Sequence, residues 1–266
     1  MKNLILIKIG GSLITDKTKP YTTRPDVIKR IAKEIHEAID EKDVNLVIGH
    51  GAGSFAHQSA SKYQTQNGII NDESYRGIAV VENDAQRLNR IFVQALIDEG
   101  VEAVSFQPSA GAIAEDSRIV EWPLKALEAL LEKGMIPVPY GDVLIDRKKG
   151  CCIASTEEVL NFLANKLKPE KIIIAGEVDG VFTADPHKDP KAKLIPEITK
   201  KNFEDVKKYL AGSRGTDVTG GMLHKVEEMM EIATDGFTSE IINVLKEGNL
   251  KKAILGKKVL GTVIRK

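Results

Sequence analysis

Short apolar runs alternate along the chain with longer stretches in which apolar residues recur every three or four positions. The runs at 4–9, 44–48, 103–106, 136–139, 171–175, 240–243 and 259–263 read as strands covered on both faces. Helical spacing marks 24–40, 74–98, 123–132, 156–167, 201–208 and 221–234. In the first of these, Ile28, Ile31, Ile35 and Ile39 fall on one face. Strands separated by helices predict an α/β fold, an open αβα sandwich around a mainly parallel central sheet. In such sheets ligands gather beyond the carboxyl ends of the strands. Residues 142–152 predict a hairpin, and 185–195, rich in Pro, Lys and Asp, predict an exposed loop. Residues 54–71 are polar and poorly periodic, which predicts a mobile loop. A boundary near 167–170 is expected to divide an N-terminal lobe, 1–167, from a C-terminal lobe, 168–266, within one continuous domain.

Three glycine-rich turns sit where strands end or helices begin. They are Lys8-Ile9-Gly10-Gly11-Ser12, Gly49-His50-Gly51-Ala52-Gly53-Ser54, and Thr219-Gly220-Gly221-Met222, the last opening the helix that carries Lys225. Glycine lets backbone approach a ligand and aim several N–H groups at one anion, and a helix N-terminus adds partial positive charge. Each turn alone is equally an ordinary tight turn. Together they point to a protein that handles more than one phosphate.

Composition narrows the partners. The 38 basic and 38 acidic side chains cancel, so no net field draws the chain to nucleic acid or to an anionic membrane, and any anion site has to be local. Aromatic residues make up 5% of the chain, few for stacking on bases. No apolar run approaches the roughly 18 residues of a membrane span. The run at 4–9 is too short for a secretion signal and runs into glycine, so a cytoplasmic location is expected. Cys151 and Cys152 are adjacent and have no other cysteine to pair with, which predicts buried thiols rather than a disulfide framework or a cysteine metal site.

None of the turns matches G-x-x-x-x-G-K-[ST], and none matches G-x-G-x-x-G closely. The chain instead resembles the amino acid kinase family over nearly its full length. The resemblance rests on Lys8-Ile9-Gly10-Gly11-Ser12, the second glycine turn, the run from Val178-Asp179-Gly180-Val181-Phe182 to Asp185-Pro186, and Thr219-Gly220-Gly221-Met222 with Lys225. It implies transfer of the γ-phosphoryl group of ATP to a carboxylate, carbamate or phosphate, with Mg²⁺ accompanying ATP and held by phosphates and waters rather than by protein ligands. It also implies an N-terminal acceptor lobe, a C-terminal nucleotide lobe and a homodimer formed through the N-terminal lobe. Gly51-Ala52-Gly53-Ser54-Phe55-Ala56-His57 and Lys17 are similar to the branch whose acceptor is isopentenyl phosphate, a signature shared with the branch that phosphorylates fosfomycin. Ala52 and Ala56 stand where that family commonly has glycine, and Ser155-Thr156-Glu157 where it often has Ser-Gly-Asp.

The resemblance implies catalytic roles for Lys8, Lys17, His57 and Lys225. It implies acceptor contacts from Gly51, Ala52, Gly53, His57, Thr156 and Glu157. Nucleotide contacts are implied for Lys8, Gly10, Gly11, Ser12, Gly53, Asp179, Gly221 and Lys225. Chemistry agrees with it. A phosphate acceptor is already ionised near neutral pH, so positioning and charge stabilisation matter more than a strong base. Ammonium groups and backbone N–H donors suit that task. Taken singly, each of these residues also has a plain reading: a lysine as a solvated charge, Asp179 as a turn residue, Glu157 as a first-turn helix carboxylate. His50 reads better as a packing residue, and Asp142 either borders the acceptor pocket or shapes a turn. The long helix over 74–98 offers Ile78, Val81, Leu88, Ile91 and Phe92 as a wall for the acceptor's organic tail or as plain core. A kinase of phosphonates or of small alkyl phosphates, and a nucleotide-binding sensor without turnover, remain the alternatives.

Overall fold

The computed structural model describes residues 3–186, 188–211, 221–233 and 237–266. Strand β1 (Leu4–Ile9) leads into a single helical turn, α1 (Gly11–Ile14), followed by α2 (Pro25–Glu41), β2 (Asn45–His50), α3 (Gly53–Tyr63) and the long α4 (Glu73–Asp98). Next come β3 (Ala103–Ser105), β4 (Ile113–Glu115), β5 (Arg118–Glu121), α5 (Lys125–Glu132), β6 (Ile136–Val138), β7 (Asp142–Asp146), β8 (Gly150–Ala154) and α6 (Thr156–Leu167). The rest of the chain holds β9 (Lys171–Gly176), β10 (Val181–Phe182), β11 (Leu194–Ile195), β12 (Glu197–Ile198), α7 (Phe203–Ala211), α8 (Gly221–Ile232), β13 (Thr238–Asn243), α9 (Asn249–Ile254) and β14 (Gly261–Ile264).

The central sheet runs in the order β12-β14-β13-β9-β1-β2. Its pairings are parallel except for β13–β14. Successive side chains of a strand point to opposite faces, and β1 shows the consequence. Leu4 and Leu6 join one core with Leu127 of α5, Leu160 and Leu163 of α6, and Val226 and Met229 of α8. Ile5, Ile7 and Ile9 join another with Ile31 and Ile35 of α2, Leu88 and Phe92 of α4, and Leu250 of α9. Each fully buried Leu or Ile contributes about 1.5–3 kcal/mol. A strand apolar on both faces is therefore held only between two helical layers, and the result is the expected αβα sandwich. Residues 1–167 and 168–266 share the sheet through β1–β9.

The hairpin expected at 142–152 is β7–β8, with Asp142 paired to Ala154. Cys151 and Cys152 lie buried on β8 as free thiols. One expectation is corrected, and the loop expected at 185–195 holds except in its last two residues. Much of 54–71 is helical: α3 covers Gly53–Tyr63, and a 3-10 turn covers Thr65–Asn67. Its buried face is built from Gly53, Ser54, Phe55, Ala56 and Ser59, mostly small residues that let α3 settle closely on α4. Such a face leaves no stripe of large apolar side chains to read. The stretch 185–195 ends in a strand, β11, pairing antiparallel with β10. Part of the third glycine turn, Thr219 and Gly220, lies outside the described residues, as does Thr234.

Glycine is required where the first two turns meet. A Cβ on Gly11 would lie 2.6 Å from the Gly53 nitrogen. Gly53 itself has φ +53°, and a Cβ there would come within 2.2 Å of Thr15 Oγ1. That hydroxyl accepts from Ser54 N at 3.0 Å and donates to the Gly11 carbonyl at 2.7 Å, bolting the turns together. Gly53→Ala is expected to cost at least about 2 kcal/mol, from the unfavourable φ and the clash. Urea unfolding measures it, and an unchanged midpoint would contradict this account of the junction.

Candidate active site

Lys8 shares the face of β1 that carries Leu4 and Leu6, which directs it towards the N-terminus of α6. There it forms a buried ion pair with Glu157. Local signals fix the position of α6. Ser155 Oγ caps it by accepting from Glu158 N at 3.0 Å, and Glu157 and Glu158 occupy the first turn, where the helix dipole favours carboxylates. Thr156 Oγ1 donates to the His50 carbonyl at 2.7 Å, tying this end of α6 to the end of β2. A Cβ on Gly49 would lie 2.8 Å from the Thr156 methyl. The threonine thus packs against β2, and its methyl uses the space that Gly49 leaves. Burial opposes charge on Glu157, but the ammonium groups of Lys8 and then Lys225 hold its carboxyl below the usual range.

These groups line one cavity of about 130 Å³. Its lining includes Lys8, Lys17 and Lys225, the turn residues Gly10, Gly11, Ser12, Gly51 and Gly53, and Ser155 and Glu157. It also includes a packed apolar cluster, Ala56 and Ala60 of α3, Val81 and Ala85 of α4, and Ile153 of β8. His57, one turn into α3, lines the same cavity, as do Ala52, Thr156 and Asp142. Lys17 sits in the loop between α1 and α2, which the Tyr21 hydroxyl pins to α4 by donating to Asp84 Oδ2 at 3.0 Å. Lys17 and Ser12 also line a neighbouring polar cleft, where Arg24 Nη1 lies 2.8 Å from Glu177 Oε1 beyond β9.

One predicted nucleotide residue does not line the cavity. Asp179 stands apart, paired with Lys246 at 2.7 Å. Gly180 beside it has φ +135° and presses against Thr262, which explains the Asp-Gly sequence. Gly221 begins α8. On the long helix, Val81 faces the cavity, Leu88 and Phe92 belong to the core, and Ile91 is exposed. Gly141, Ile153, Ala60 and Ala85 line the cavity without having been singled out in the sequence. Their spacing carries no signal, because different elements bring them together.

The two other candidates are resolved by burial. Asp142 lines the cavity and is buried, and desolvation together with the charge of Glu82 raises its pKa to about 6, although it accepts from Ser109 N and Val143 N. His50 is a buried packing residue. It stacks on Tyr140 with ring centroids 5.7 Å apart. Its Nδ1 lies 3.2 Å from the Gly51 carbonyl and its Nε2 lies 3.0 Å from Asn89 Nδ2. The carbonyl needs a donor and the amide an acceptor, which assigns the neutral tautomer with the proton on Nδ1. Burial lowers its pKa from 6.5 to about 4. Protonation therefore favours the unfolded chain, and the stability held above pH 6.5 is lost as pH falls towards 4. By pH 4 the loss is expected to approach about 3 kcal/mol. Urea unfolding at pH 7 and pH 4 checks this against His50→Gln, which should lack that part of the loss. Equal losses in both proteins would contradict it.

Among the described residues no helix is long and apolar enough to cross a membrane, and no group of three His, Cys, Asp or Glu side chains is arranged to hold a metal ion. The sequence pattern of the amino acid kinase family matches residues 3–243. The chain is 40% identical to the isopentenyl phosphate kinase of Methanothermobacter thermautotrophicus, covering 98% of both. It is 36% identical to that of Methanocaldococcus jannaschii, again covering 98% of both. A crystal structure of an isopentenyl phosphate kinase superposes with a TM-score of 0.84 at 36% identity, over 98% of this chain and 100% of that one. Sequence pattern, fold and glycine turns agree, and the chain belongs to the amino acid kinase family.

Proposed function

We propose that the protein transfers the γ-phosphoryl group of ATP to isopentenyl phosphate, giving isopentenyl diphosphate and ADP. The observation that carries this reading is a single cavity lined both by three lysines and His57 and by a packed cluster of apolar side chains, Ala56, Ala60, Val81, Ala85 and Ile153. A small alkyl phosphate has a part to match each. The relatives named above share this chain's full length.

In this reading His57 donates to the acceptor phosphate and holds it facing the nucleotide. Lys8 reaches the transferring group, Lys17 the β- and γ-oxygens, and Lys225 the nucleotide phosphates from the opposite side. Glu157 orients Lys8 and Lys225. Backbone N–H groups of the turns at Gly10-Gly11 and Gly51–Gly53 complete the cradle. Mg²⁺ supplies charge neutralisation on the nucleotide. The residues present fit an ion carried by phosphates and waters, because the carboxylate nearest the lysines is already committed to Lys8. Residues 1–167 form the acceptor lobe and the face of a homodimer, residues 168–266 bind the nucleotide with Asp179 at its ribose or base, and the enzyme works in the cytoplasm.

A coupled ADP-release assay with Mg-ATP tests the acceptor. Isopentenyl phosphate, dimethylallyl phosphate, fosfomycin, UMP and aspartate are compared by kcat/KM. The reading requires isopentenyl phosphate to lead. A lead by fosfomycin or UMP would replace the acceptor, and ATP binding without turnover on any of them would replace the enzyme with a sensor.

A further inference from the structure

The mechanism above leaves a buried acid on α8 unused. Glu228 lies on α8 one turn beyond Lys225 and is 4% exposed. On a helix, residues three apart share a face, so both look towards α6 and β1. The charges around Glu228 come from Lys8 of β1, Glu157 and Glu158 of α6, and Arg118 of β5. Its own helix adds Lys225 and Glu231, and Glu231 is drawn away to Arg118 at 3.1 Å. Helix α7 meets α8 through the apolar core, with Val206 and Leu210 against Val226 and Met229, and β14 carries no charged residue. Glu228 is thus buried beside the Lys8–Glu157 pair, with Arg118 and Glu158 also acting on it, and stands behind the cavity lining on the helix that carries Lys225. Ionised, it offsets one of the positive charges that Lys8, Lys17 and Lys225 bring to the site opposite Glu157. Protonated, it leaves that charge for the incoming anions.

We propose that Glu228 is a positioning residue for the phosphate site that carries a proton while the site is loaded, so that binding of anionic phosphates takes up a proton from solution. The proton goes from the buffer to the Glu228 carboxylate, and no bond to substrate changes. Burial, then the charge of Glu157, raises the Glu228 pKa to about 8. Near that pH the empty site holds the proton only part of the time. Phosphates bound beside it favour the neutral acid further, and linkage then makes binding stronger towards lower pH. A carboxylate left ionised there would also compete with Glu157 for Lys8 and draw the ammonium away from the transferring group.

The inference rests on the kinase reading, and calorimetry separates the two. Isopentenyl phosphate is titrated into the ligand-free protein at pH 8, in buffers of different ionisation enthalpy. Uptake of about half a proton is expected for the wild type, because a group with its pKa at the working pH starts half protonated. Glu228→Gln should abolish that uptake and still bind. Binding by the wild type should weaken about tenfold from pH 7 to pH 9, whereas the variant's affinity should stay level. Glu228→Met serves as a second uncharged variant if the first does not fold. No binding at any pH would overturn the kinase reading. Binding without proton uptake, or the same alkaline weakening in wild type and variant, would overturn the role of Glu228.

Discussion

Replacing Lys8 by methionine is expected to lower kcat by at least about 10³-fold, at the upper end of what one donor to a developing charge supplies. The substitution also strands Glu157, a buried carboxylate whose ion pair is lost, which costs about 3–5 kcal/mol. The two effects separate in the double variant Lys8→Met/Glu157→Gln. Removing the orphaned charge should recover most of the stability and none of the turnover. Urea midpoints and single-turnover rates measured on the same samples check this. A double variant that regained activity would show that Lys8 serves the fold and not the transfer.

His57→Ala carries the second large effect. If His57 holds the acceptor phosphate, kcat/KM for isopentenyl phosphate should fall about 10²-fold, in the range for a positioned group that donates in the transition state. The KM for ATP should move less than about twofold, because a residue confined to the acceptor touches only one substrate. His57→Gln keeps a donor at a similar reach and should recover part of the loss. Full activity in His57→Ala would remove the histidine from the mechanism. Equal losses for ATP and acceptor would make it a structural residue of α3.

Some elements were legible in the sequence because one physical signal dominated them. Strand β1 falls where expected, since a six-residue apolar run fits only between two helical layers. Helix α6 also falls where expected, because a capping serine, first-turn carboxylates and an apolar face agree. Helix α3 was hidden by its own packing, whose small buried residues look like loop composition. The short strands β4 and β5 and the six-residue α9 carry too few residues to establish a period.

The site shows the same division. Lys8, Lys17, His57 and Lys225, far apart in sequence, line one cavity, because each stands beside a turn or helix start at the carboxyl end of the sheet. What the motifs do not carry is burial. His50 sits in the same turn as the cavity-lining Gly51 and Gly53 yet is packed against Tyr140 and Phe92. Glu228 shares a face with Lys225, but nothing in the helical spacing says that α6 and β1 close over it. Nor does composition reveal that Gly11 and Gly53 are needed for each other, since the contact joins two turns about forty residues apart.

The most direct test of the central claim is to watch the phosphorus atoms. Protein, Mg-ATP and isopentenyl phosphate are incubated and followed by ³¹P NMR. The account predicts that the monophosphate resonance of the acceptor disappears while two coupled diphosphate resonances grow at the rate at which ADP forms. An acceptor resonance that stays unchanged, with ADP and inorganic phosphate as the sole products or with no ATP consumed, would contradict transfer between the two phosphates.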